Sequence, residues 1–230
     1  MADFIKPRPA AGSLRVLAAL LAYPDAALRE HLAEMRDILR DEAALSTPRL
    51  VALQALIDHL AAAELLESEA DYVELFDRGR GTSLHLFEHV HGDSRDRGPA
   101  MIDLAQTYEK AGLYLAPSEL PDYLPAVLEF VSTQPPTEAR AFLGEMAHIF
   151  NAIFSALQQR ASPYAGVLAA LLELAGEKAQ TVALAVEPSI DESWNEPLVF
   201  DGCSTRGQAR PGQPQPVRLI RKTAKSGVVT

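Results

Sequence analysis

The chain has a single cysteine, Cys203, among 230 residues. A lone thiol excludes an internal disulfide and any cysteine-based metal cluster, and it fits a reducing compartment. Long apolar runs are also missing: no stretch approaches the roughly eighteen residues that a bilayer span requires. The nearest candidate, residues 16–22, is short, adjoins Arg15 and is stopped by Pro24. Lys6 and Arg8 precede it, yet so brief a run predicts neither an export signal nor an anchor. Strand-type alternation of apolar and polar residues is absent, and so is any internal repeat. These gaps predict a soluble, cytoplasmic, helical protein.

Positive charge is scarce as well. Against 31 acidic residues stand 21 basic ones, for a formal net charge of −10. Six of the bases (Arg206, Arg210, Arg218, Arg221, Lys222 and Lys225) follow Asp201, the last acid, so residues 1–201 carry −16. An acidic body repels nucleic acid and anionic lipid, which predicts no nucleic-acid partner and no direct membrane insertion. Its partners are expected to be neutral or basic; acidity serving solubility alone is the other reading.

What remains is helical periodicity. Leu14, Leu17, Leu20 and Leu21 recur at three and four behind Ser13, a candidate N-cap, until Pro24. A second helix spans about 26–42, with Leu28, Leu32, Met35 and Leu39 on one face. A third starts at Thr47-Pro48 with Leu50, Leu53, Leu56, Ile57 and Leu60 as its stripe. A fourth covers 67–76 before Gly79 and Gly81 break the pattern; a fifth runs from near Ser94 to Ala111, closed by Gly112. Pro121 and Pro125 mark another start, and segments 137–159 and 163–175 read as one helix each. The expectation is an all-α, single-domain bundle of roughly eight or nine helices over 1–186. An apolar segment, 187–203, holding Trp194 and Phe200, is expected to pack back on it. The Pro-, Gly- and Gln-rich residues 204–230 read as a disordered basic tail.

One short stretch carries apparent chemistry. His85-Leu-Phe-Glu88-His89 has the inverted zinc-protease spacing, with Glu88 as a possible general base and Glu119 or Glu129 as a third ligand. The segment follows a glycine-rich break and ends at Gly92, leaving little helix to hold two ligands rigid. Packing or capping is the competing role for these histidines, and the expectation is no metal and no other cofactor.

The same region carries a resemblance. "YVELFDRGRGTSLHLFEHVHGDSRDRGPAMIDLAQTYEKAGL" (72–113), followed by "ELPDYLPAVLEFV" (119–131), closely resembles the nitrate reductase molybdenum cofactor assembly chaperones, the NarJ or delta-subunit family. The likeness includes the opening "LLAYPDAALREHL" and extends to about residue 175. It implies an all-α chaperone without catalytic activity. Such a chaperone would bind the N-terminal segment of the nitrate reductase catalytic (alpha) subunit and allow cofactor insertion before membrane docking. The wider group has an E-x-P-D-H-type element near its peptide groove. Here it reads Glu119, Pro121 and Asp122, with Tyr123 in place of histidine, a group that stays neutral at physiological pH. An amphipathic leader helix needs an apolar groove and carboxylates for its basic end. Tyr72, Leu75 and Phe76 are the candidate lining, with Glu119 and Asp122 at the rim; a core role suits Leu75 and Phe76 better than the groove does, and a helix start is the other role of Asp122. A chaperone of this fold for another molybdoenzyme, and a zinc hydrolase, are the alternatives.

Overall fold

A computed structural model of the chain describes residues 9–92, 94–116 and 119–183. Ten α-helices occur among them: α1 (Ala11–Leu21), α2 (Ala26–Glu42), α3 (Thr47–Ala62), α4 (Leu65–Phe76), α5 (Leu86–Val90), α6 (Arg97–Lys110), α7 (Leu124–Ser132), α8 (Pro136–Glu145), α9 (Ala147–Gln159) and α10 (Ala165–Ala175). A 3-10 turn, Arg80–Thr82, separates α4 from α5. The described residues contain no strand, only one antiparallel bridge between His85 and Tyr123. The all-α bundle expected from periodicity is therefore observed. The back-packing segment 187–203, the tail 204–230 and Cys203 lie outside the described residues. No described helix is long and apolar enough to cross a membrane.

α10 and α1 form the centre. α10 buries Val167, Leu168, Ala170, Leu171 and Leu172 on all sides and packs on α9, α8, α3 and α1. A helix apolar around its whole circumference has to be an interior one. α1 lies between α7, α2 and α10 and buries Leu14, Leu17, Leu20 and Leu21. α2, in contrast, shows the core only its Leu28, Leu32, Met35 and Leu39 stripe, as its polar opposite face dictates.

The helix ends reveal how the order is fixed. Asp25 caps α2, accepting from the Leu28 N–H at 2.8 Å. Arg29 then reaches from α2 to the last carbonyls of α3, donating to Leu60 O at 2.7 Å and also to Ala63 O. This satisfies orphan acceptors and sets a cation at the negative helix end. α10 closes at Gly176, whose φ of 82° requires glycine, with Glu177 N–H returning to Leu172 O at 2.8 Å. A Cβ there would lie 1.9 Å from the Arg140 guanidinium.

Two expectations are corrected. Ser13 is not the N-cap of α1 but lies fully buried inside it. The cap comes from Glu42 at the far end of α2, whose carboxylate accepts from Gly12 N at 3.0 Å and Ser13 N at 2.6 Å. Residues 137–159 are two helices, not one. The backbone departs from helix at Met146 (φ −90°, ψ −1°), which lets α8 and α9 both pack on α10.

Candidate functional site

The segment 119–124 is the junction on which the candidate residues meet. Flanking prolines at 121 and 125 hold it out of helix, and it lies antiparallel to residues 84–86. Leu86 N donates to Asp122 O at 3.0 Å, and Leu124 N to Leu84 O at 2.8 Å. Asp122, expected at a groove rim, is instead fully buried. One carboxylate oxygen accepts from Phe87 N at 3.2 Å, capping α5 from a distant part of the chain. The other meets His85 Nδ1 at 3.3 Å, while Arg97 Nη2 stands 3.8 Å from the oxygen bonded to Phe87 N. The helix-start role is the one this geometry displays, though for α5 rather than for Asp122's own helix. The hydrogen bond to Asp122 raises the pKa of His85, opposed by burial and by Arg97.

The histidine motif forms no common site. His85 precedes α5 instead of lying within it, so the one-turn spacing is not helical. His89 Nε2 faces Ser83 O at 2.8 Å, Glu88 faces Arg97 at 3.4 Å, and His91 stacks edge-on to Phe87. Among the described residues no group of three or more His, Cys, Asp and Glu side chains could hold a metal ion.

Tyr72 and Phe76 belong to the core. The Tyr72 hydroxyl donates to Leu21 O at 2.8 Å and lies 3.2 Å from the Tyr123 hydroxyl. Burial pushes its pKa far above the ordinary phenol value, so it acts as a neutral strut. The ring sits 4.8 Å from Phe76 and edge-on to Tyr23 at 5.6 Å. Tyr23 brings this cluster to the surface, at 45% exposure. The field of Asp77 reaches Tyr23, Tyr72 and Tyr123, and the charge of Glu69 reaches Tyr23. Tyr23, Glu69, Asp77 and Tyr123 thus form an acidic, aromatic face at one side of α4.

The charge of Glu119 also reaches Tyr123. Leu75 is half-buried in a cleft of about 570 Å³ shared with Asp71, Glu74, Arg160 and Tyr164. Glu119 is exposed beside a hollow of about 80 Å³ formed by Tyr108, Tyr114 and Phe130. Pro121 is buried, and its carbonyl accepts from the Tyr108 hydroxyl at 2.8 Å. Leu75 and Glu119 therefore line different depressions. Sequence reasoning missed Tyr23, Glu69, Asp77, Asp71 and Tyr164. The acids at 69, 71, 74 and 77 recur through α4 and could have been read as one acidic helix. Tyr164 offered no signal.

The chain is similar to known proteins. The sequence model of the nitrate reductase delta subunit family matches residues 22–170. The chain is 46% identical over 162 residues to the nitrate reductase molybdenum cofactor assembly chaperone NarJ of Escherichia coli (strain K12), covering 70% of this chain and 69% of that one. It is 40% identical over 179 residues to the probable nitrate reductase molybdenum cofactor assembly chaperone NarW of the same strain, covering 78% and 74%. Among solved structures, a putative redox enzyme maturation protein from Archaeoglobus fulgidus aligns over 77% of this chain and all of its own. Its TM-score is 0.55 at 18% identity, a likeness of fold alone.

Proposed function

This chain belongs to the nitrate reductase delta subunit family, and we propose that it serves as the molybdenum cofactor assembly chaperone of a nitrate reductase. It acts by binding, not by catalysis, and works in the cytoplasm. It holds the N-terminal segment of the catalytic subunit, keeps that subunit open for cofactor insertion, and delays docking on the membrane until insertion is complete. The observation that carries this reading is the 46% identity over 162 residues to a protein named as such a chaperone.

The chemistry of the surface supports it. An amphipathic leader needs apolar area for one face and carboxylates for its basic groups. Tyr23 and Tyr123 offer rings, Leu75 an aliphatic contact, and Glu69, Asp77 and Glu119 the charge. Aromatic faces beside carboxylates suit lysine and arginine, because the ring quadrupole and the ion pair act on the same cation. Tyr72, Phe76, Pro121 and Asp122 contribute from beneath, by fixing the rings and the 119–124 segment in place. A surface of this kind binds reversibly and loses affinity as salt rises.

Co-purification tests the proposal. Tagged chain, expressed beside a nitrate reductase catalytic subunit, is expected to retain that subunit in its cofactor-free form. It should fail to retain a subunit lacking its N-terminal segment. Equal capture of the truncated subunit, or capture only of the cofactor-loaded one, would overturn the reading.

A further inference from the structure

Tyr164 is a buried phenol that the fold leaves unsatisfied. Its ring is 6% exposed, edge-on to Phe76 at 5.1 Å and to Tyr72 at 6.3 Å. Its hydroxyl is fully buried and has no protein partner among the described residues. Tyr72 and Tyr108 differ: each donates its hydroxyl to a backbone carbonyl at 2.8 Å. Natural interiors leave few polar groups without an acceptor, so one that borders a cleft points to a ligand that supplies it.

The cleft has the charge to choose that ligand. It measures about 570 Å³ and lies between α4 and the 160–164 turn, with His59 at the end of α3 closing it. Its cations are already engaged. Arg160 donates to Leu75 O at 3.2 Å and to Thr82 Oγ1 at 2.9 Å, and Arg78 pairs with Glu74 at 2.7 Å. Asp71 has no ion pair among the described residues, and its charge falls on the Tyr164 hydroxyl. Opening the hydroxyl to a ligand requires the turn to yield slightly. Ala161 there has φ 51°, a left-handed conformation in which a non-glycine residue stores strain.

We propose that this cleft is a polypeptide-binding subsite, in which Asp71 receives a lysine or arginine side chain and Tyr164 donates its hydroxyl to a backbone carbonyl of the same segment. The proposal rests on the chaperone reading, and it names a subsite in the cleft between α4 and the 160–164 turn, which Tyr23 and Tyr123 do not line. Its signature is an opposition between stability and binding. Removing an unsatisfied hydroxyl relieves the folded protein, while removing a donor weakens the complex.

The test measures binding of two sets of synthetic peptides to the full chain by titration calorimetry. One is the N-terminal segment of a nitrate reductase catalytic subunit, with each lysine or arginine replaced in turn by alanine. The other is a panel of unrelated amphipathic peptides, each with one lysine. Tyr164→Phe is expected to keep or raise the melting temperature while lowering leader affinity about three- to tenfold. Asp71→Asn is expected to weaken the leader severalfold, and to have no effect on the one alanine variant that lacks the side chain seated in the cleft. A leader that binds wild type, Tyr164→Phe and Asp71→Asn equally refutes the subsite and leaves the chaperone reading standing. If the leader does not bind but panel peptides bind in a Tyr164-dependent way, the subsite stands and its assignment to that client falls. If neither set binds, both readings fall.

Discussion

Replacing Asp122 by asparagine separates a structural carboxylate from a binding one. The side chain is fully buried, and its two oxygens serve Phe87 N at 3.2 Å and His85 Nδ1 at 3.3 Å, with Arg97 at 3.8 Å. Asparagine fills the same volume and its amide oxygen can still accept from Phe87 N. The loss is then one charge-assisted hydrogen bond and the attraction of Arg97, which is partly in water. A hydrogen bond to a charged group contributes about 1.5–3 kcal/mol. At about 2–4 °C per kcal/mol for a chain of this size, the melting temperature should fall by about 3–12 °C. The sign of the pH dependence follows from His85, whose pKa is raised above 6.5, first by the hydrogen bond to Asp122. A group with a raised folded pKa adds stability that is fully present below its unfolded value and is lost as pH rises through the folded one. The gap between wild type and variant should therefore be wider at about pH 6 than at about pH 8.5, the direction in which His85 loses its proton. Thermal melts followed by circular dichroism at both pH values measure it. A melting temperature within about 1 °C of wild type, or an equal gap at the two pH values, would refute the buried-clasp account of Asp122.

Glu119→Gln should do the reverse of Asp122→Asn: no change in melting temperature, with leader-peptide affinity weakened modestly and only at low salt, as suits an exposed carboxylate; calorimetry at two salt concentrations checks it. Glu42→Ala removes the cap of α1 and should cost about 1–2 kcal/mol, read as a lower melting temperature with peptide affinity unchanged. Elemental analysis of untagged protein should find no stoichiometric zinc. A one-to-one zinc that survives chelator dialysis, and whose removal abolishes client binding, would revive the His85–Glu88–His89 reading.

Where structure is set by neighbours in sequence, the residues state it openly. Pro48 at the start of α3 and the Leu28–Leu39 stripe of α2 act within a turn or two, and each appears as its spacing predicts. Ser13 misled because the motif of a cap was present while the cap itself arrives from Glu42, some thirty residues away. The break at Met146 has no proline to announce it, and packing of both α8 and α9 on α10 decides it. At the candidate site the same division holds. The run 119–123 forms the junction beside residues 84–86, and Tyr72 lies in an aromatic cluster with Tyr23, Phe76 and Tyr164. That Asp122 turns inward while Glu119 turns outward depends on Phe87, His85 and Arg97, none of which is near it in sequence.

That division has a consequence for how the chain can be both stable and receptive. α6 buries only Tyr108 completely, and both its ends are tied to the 119–124 junction. Arg97 reaches Asp122 and Glu88 at one end, and the Tyr108 hydroxyl reaches Pro121 O at the other. The junction in turn is bonded to Leu86 at the start of α5 and, through Leu124 N, to Leu84 just before it. Few buried apolar contacts and a small number of polar ties make α6 a segment of low local stability, whereas α1 and α10 are held on all sides. Energy for the fold is concentrated in the α1–α10 core, to which Tyr123 is joined through the Tyr72 hydroxyl and Leu21 O, while Glu119 and Asp77 are exposed. The exposed carboxylates Asp77 and Glu119 can consequently be altered at little cost to folding, whereas Asp122, fully buried, cannot.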